Sequence, residues 1–144
     1  MAEQSHIELV RGAFEAFGKG DLDTVKESFS PDVTWFSAGR SWLVGTYQGI
    51  DAVIGLLATI FAYSEGTYNT EVTDILAGDD VVVVLQKVTA SRSDGRSMSV
   101  DAVLVADIAD GRISNVRAWP DDIYAEDEFY GAEPPEGWTA PARG

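Results

Sequence analysis

The stretch Val100 to Asp122, VDAVLVADIADGRISNVRAWPDD, sets two strand-like runs on either side of Ala109-Asp110-Gly111. Glycine supplies the positive φ that other residues resist, so this reads as a β-hairpin. Loop length decides which side chains share a face, because one residue of register turns every side chain over. A two-residue Asp110-Gly111 turn sets Val100, Ala102 and Leu104 opposite Asp121, Trp119 and Arg117. A three-residue Ala109-Asp110-Gly111 loop sets them opposite Pro120, Ala118 and Val116. The three-residue loop is preferred because it segregates the chemistry. One face then carries Val100, Ala102, Leu104, Ala106, Val116 and Ala118, and the other Asp101, Asp107, Asn115, Arg117 and Trp119. The apolar face is rich in alanine, and small side chains beneath a covering helix leave room for a pocket.

A chain of 144 residues is long enough for one domain with a substantial core. Its apolar fraction of 45% argues against disorder. With no cysteine, thiol nucleophiles, disulfides and zinc–thiolate sites are excluded. Lys plus Arg is 10 against 24 for Asp plus Glu, a net charge of −14 that repels a phosphate backbone and argues against nucleic acid as a partner. No apolar run of membrane-spanning length and no leader-like segment stand out, so the expectation is a cytoplasmic protein without a membrane partner. His6 is the only histidine, which leaves no Ser-His-Asp relay and no multi-histidine metal site. No phosphate-binding glycine loop has the strand-turn-helix context it needs, so neither a metal nor a cofactor is expected.

Taken in order, Ser5 and Glu8 form a capping-box pattern ahead of Val10, Ala13, Phe14 and Phe17, which fall on one helical face. Asp21 caps a second short helix with Leu22, Val25 and Phe29 on one side, ending at Pro31. Val33 to Phe36 reads as a strand, and Gly39 to Gly49 as a glycine-bearing loop carrying Arg40, Trp42 and Tyr47. A third helix starts near Asp51 and buries Val53, Ile54, Leu57, Ile60 and Phe61. Strands follow at Tyr68–Leu76, at Val81–Thr89 and through the hairpin, and a short helix spans Ile123–Phe129. Helices first and a meander of about four antiparallel strands after make an α+β fold, a curved sheet packed on three N-terminal helices. One domain over 1–131 is expected, with 132–144 a flexible acidic tail rich in Pro and Gly.

The stretches GDLD (Gly20–Asp23), PDVTW (Pro31–Trp35), TYQGIDAV (Thr46–Val53) and DGRI (Asp110–Ile113) resemble the nuclear transport factor 2-like superfamily. Within it the chain is most similar to the SnoaL-like polyketide cyclase and ketosteroid isomerase branch, over roughly Ile7 to Phe129. The resemblance implies a cone-shaped α+β barrel, usually a homodimer, with an apolar cavity between sheet and helices. The ketosteroid isomerases' aspartate base falls on Ser37, their tyrosine near Ala13 and their protonated aspartate near Leu104. The Asp-Arg-Asp set of limonene epoxide hydrolases falls on Leu85, Lys87 and Ala118, and their tyrosine and asparagine on Trp35 and Ser37. Both specific activities are therefore disfavoured.

Lys87 shares the parity of Val81, Val83 and Leu85, so period 2 points it at the cavity as a candidate base or anion anchor. The opposite phase would bury Gln86 instead. Ser37 is a candidate hydroxyl donor and Asp121 a candidate acid or base, although one of Asp121 and Asp122 is better read as the cap of the last helix. Phe17, Trp35, Trp42, Tyr47, Phe61, Ala102, Leu104 and Ala118 complete the expected ligand-binding wall. The function expected is cofactor-free acid/base chemistry, namely isomerisation, cyclisation or dehydration, on a small hydrophobic carbonyl or polyketide-like substrate. The alternatives are a non-catalytic hydrophobic-ligand carrier and a structural subunit. A homodimer through the outer sheet face, with Asp101 and Trp119, is expected.

Overall fold

The computed structural model describes residues 2–138. Its elements run α1 (Ala2–Gly18), α2 (Leu22–Glu27), β1 (Phe29–Ser37), β2 (Gly45–Gln48), α3 (Ile50–Tyr63), β3 (Asn69–Ala77), β4 (Val81–Ser91), β5 (Ser97–Ala109), β6 (Arg112–Pro120) and α4 (Ile123–Tyr130). The six strands form one sheet in the order β2-β1-β6-β5-β4-β3. All neighbours are antiparallel except β1 and β6. The α+β architecture with a curved sheet on N-terminal helices is as the sequence implies. No described helix is long and apolar enough to cross a membrane.

Local chemistry explains most of the boundaries. Val10, Ala13 and Phe17, spaced i, i+3, i+7, are buried on the sheet side of α1. The helix already runs from Ala2, so Ser5 lies inside it and not at its N-cap. Asp21 caps α2 by accepting from the Thr24 amide at 3.2 Å, and Asp122 caps α4 by accepting from Ala125 at 3.1 Å. Phe29 opens β1 and does not close α2, and Pro31 lies within β1, whose pairing to β6 is irregular between Phe29 and Thr34. The Gly39–Gly49 segment contains an edge strand, β2, where a loop was expected.

The hairpin reaches the expected faces by another route. The turn is the two-residue one, with Ala109 opposite Arg112 and positive φ at both Asp110 (52°) and Gly111 (75°). Between Asp107 and Ile108 the register shifts, and Ser114 is the extra residue on β6. That bulge restores the parity the two-residue turn would have inverted. Ala102 therefore pairs with Pro120, Leu104 with Ala118 and Ala106 with Val116. Ala102 and Ala118 share the cavity face but are not direct partners, which corrects the expected pairing.

The phase of β4 is the main reversal. Val82, Val84, Gln86 and Val88 face inward, while Lys87 is exposed on the outer face with Glu71 and Asp101 as cross-strand neighbours. In VVVVL both parities are apolar, so alternation alone gives no phase. The pairings Val84–Leu104 and Gln86–Ala102 set it.

In the segment expected as a tail, Trp138 lies edge-on to Trp42 with centroids 5.0 Å apart. The rest of that expectation, from 139 onward, lies outside the described residues.

Candidate functional site

Between the concave sheet face and the helices lies a cavity of about 110 Å³, bounded by α1, α3, α4 and the inner faces of β1 and β3–β6. One ordered water needs ~10–15 Å³ on this measure, so the space suits a small organic molecule. Of the expected wall, Phe17, Trp35, Ser37, Ala102, Leu104 and Ala118 are in place. The alanines do what small residues under a helix should, leaving volume where larger side chains would meet α4.

Five other expected site residues lie elsewhere. Lys87 faces outward, as described. Asp121 follows β6, with its Oδ1 accepting from the Asp101 amide at 3.1 Å, and does not line the cavity. Trp42 is buried behind it, its indole donating to the Tyr130 carbonyl at 2.8 Å, and the neighbouring Leu43 lines the wall instead. Tyr47 points its hydroxyl at the Leu43 carbonyl, 2.5 Å away, and burial pushes its pKa up to about 12. Phe61 sits on the far side of Phe17, meeting it edge-on at 5.5 Å. It supports the wall without forming it.

The residue that sequence reasoning missed is Glu126. It lies in the cavity wall on α4, and among the described residues its carboxyl accepts no hydrogen bond and makes no ion pair. Burial, with a smaller contribution from the charge of Asp127, pushes its pKa from an ordinary 4.5 up to about 7. Tyr68 and Tyr130 line the same space. Burial first, and the Glu126 charge among the further causes, holds both phenols well above their ordinary range, so each keeps its proton as a donor. A signal was present in the sequence: Ile123, Glu126 and Tyr130 fall at i, i+3, i+7, on one face of the last helix.

Three further polar groups, Ser37, Thr70 and Gln86, face in. Ser37 Oγ accepts from Trp35 Nε1 at 3.2 Å, which leaves its own hydrogen free to donate. Gln86 projects from β4. No cluster of three or more metal-ligating side chains occurs among the described residues.

Helix α4 is anchored at both ends. Asp127 Oδ1 accepts from the amides of Arg40 (2.9 Å) and Ser41 (3.0 Å). At its C-terminus the Tyr130 carbonyl accepts from Tyr63 (2.9 Å) as well as Trp42, within a cluster of edge-on aromatic contacts. The carboxyl of Glu126 is thus held by a fixed helix and not by a loop.

The SnoaL-like domain family matches residues 10–116, most of the sheet and most of the wall, stopping within β6 and before α4. The chain belongs to the SnoaL-like family. An uncharacterized protein of Mycobacterium tuberculosis is 30% identical over 131 residues, covering 90% of this chain and 99% of the relative. Among solved structures, Bal32a from a soil-derived mobile gene cassette superposes with a TM-score of 0.88 at 29% identity, over 91% of this chain and 100% of that one. A candidate SnoaL-like polyketide cyclase from Jannaschia sp. CCS1 superposes with a TM-score of 0.75 at 21% identity, over 92% and 96%, a likeness of fold. The SnoaL-like match stops before Glu126, so this acid lies outside the matched segment.

Proposed function

We propose that this SnoaL-like protein binds a small, largely apolar carbonyl compound in the cavity and moves a proton on it without a cofactor, with Glu126 as the acid/base group. The observation that carries this reading is a carboxyl in the wall of an apolar cavity that, among the described residues, has no hydrogen-bond or ion-pair partner; burial there pushes its pKa up to about 7. At neutral pH such a group is divided between its two forms. As carboxylate it takes a proton from the carbon beside the carbonyl, and as acid it returns that proton to another atom of the enolate. Tyr68 and Tyr130, which keep their protons, are donors for the oxygen that becomes negative meanwhile. The apolar wall excludes water, which strengthens both interactions. Isomerisation, cyclisation by an enolate carbon and dehydration all begin with this proton transfer.

The test uses 2-tetralone, a hydrophobic ketone with acidic C–H bonds, in deuterated buffer near neutral pH. Proton NMR should show deuterium entering beside the carbonyl faster than in buffer alone, and Glu126→Gln should slow that exchange roughly a hundredfold or more. Exchange equal in both proteins would remove Glu126 from the chemistry. Binding without exchange would favour the second reading, a carrier of hydrophobic ligands. That reading draws on Ala13 and Leu104, apolar wall residues at positions where the isomerase resemblance expects catalytic groups.

We also infer that the protein forms a homodimer through the outer sheet face. Phe36, Val103 and Trp119 are exposed there, Val103 and Trp119 as direct partners. Lys87 and Arg117 share that face with Glu71, Asp101 and Asp107, so a two-fold axis can set cation against acid. Light scattering at micromolar concentration should give twice the chain mass, and Trp119→Lys should halve it. A monomeric wild type would sink the idea.

A further inference from the structure

The proton-transfer reading leaves Gln86 unused. Gln86 is 6% exposed, its side chain lines the cavity, and its Oε1 meets no donor among the described residues. The surroundings explain why. Its cross-strand neighbours are Val72 on β3, which has no polar side-chain atom, and Ala102 on β5, which ends at Cβ. The inward residues before and after it on β4 are Val84 and Val88, both buried. Ser37, the hydroxyl on the first strand, accepts from Trp35 and makes no hydrogen bond to this oxygen.

A buried carbonyl oxygen without a donor costs about 1–3 kcal/mol, and folded chains retain few of them. Thr70, opposite Val88 on β3, also lines the cavity but makes no hydrogen bond to the amide oxygen. A donor carried by a ligand, whose remaining surface is apolar, meets the requirement.

We propose that Gln86 determines specificity, accepting a hydrogen bond from a hydroxyl on the ligand. The substrate class is then a hydroxylated carbonyl compound, phenolic or enolic, and not a plain ketone. This rests on the cavity being the ligand site, as proposed above. A site built around a polar partner rejects the analogue that lacks it, because the amide oxygen is then left buried and unpaired in the complex as well.

Affinities for 6-hydroxy-2-tetralone and 2-tetralone, read by tryptophan fluorescence, test it. Wild type should bind the hydroxylated ketone about tenfold or more tightly. In Gln86→Leu the preference should fall to within about twofold while 2-tetralone binds as well as before, and the unliganded variant should melt higher than wild type. Gln86→Met, unbranched and close in volume, repeats the comparison if the leucine variant does not fold. An equal preference in wild type and variant, or no preference in wild type, overturns the inference. Deuterium exchange that persists without the preference leaves the proton-transfer reading standing, and preference without exchange does the reverse. Failure of both ketones to bind overturns both.

Discussion

Glu126→Gln stabilises the protein at about pH 8 by about 3 kcal/mol and leaves its stability at about pH 4 unchanged, the difference expected when a carboxyl titrates near 4.5 unfolded and near 7 folded. Below 4.5 the carboxyl is protonated in both states and costs nothing. As pH rises from there toward 7, the unfolded chain gives up the proton while the folded one keeps it, so stability falls across that window. Above 7 the full penalty stands. Glutamine holds the neutral shape at every pH and removes the penalty wherever it exists. Urea unfolding at the two pH values reads the effect directly. A variant no more stable than wild type at the higher pH would show that the carboxyl is solvated, and the proposed acid/base role would lose its basis. The sign also matters for function, since a residue that weakens its own fold at working pH is the kind a structure keeps for chemistry.

Gly39→Ala has the second large effect, a loss of about 2–4 kcal/mol. Gly39 has φ +129°, where side chains are strained, and a Cβ placed there would lie 2.9 Å from Asp127 Oδ1 and 2.9 Å from Val44 Cγ1. The Asp127 oxygen it would displace is the one that takes the Arg40 and Ser41 amides, so the methyl group lands on the anchor of α4. Chemical denaturation gives the loss. Amide exchange should show α4 opening more often than β4 and β5, and deuteration of 2-tetralone should slow with it, since Glu126 travels on α4. An unchanged midpoint would mean that the loop yields without cost.

How much of this was readable in the chain follows from which residues carry unambiguous local signals. The caps Asp21 and Asp122 and the Val10-Ala13-Phe17 face each act over a few residues, and each can be read there. The hairpin at Asp110-Gly111 is visible too, but its loop reads as three residues instead of two because the compensating bulge at Ser114 carries no local signal. Lys87 and Gln86 could not be told apart, because the valines before them fit either phase, and the decision lies with β5, fourteen or more residues further on. β2 is four residues long and exists by pairing with β1. The parallel β1–β6 contact joins segments more than eighty positions apart. Glu126 stands in the run Glu126-Asp127-Glu128, where composition gives no preference and docking of Phe129 and Tyr130 picks the one that turns inward.

The bulge at Ser114 has a consequence for how such chains can change length. Turn and bulge each displace β6 by one position against β5, and the two displacements cancel in the side each residue faces. Deleting Ser114 would leave Asn115 opposite Asp107 and Ala118 opposite Leu104, so the wall would keep its side chains and lose only a local bend. One more residue in the turn would likewise leave Ala109 opposite Arg112. What would bring Arg117 and Trp119 in is a slip at constant length, with Ser114 paired to Asp107 and the rest of β6 displaced by one position. The hairpin therefore tolerates a change of length at its two irregular points and is vulnerable to a slip between them.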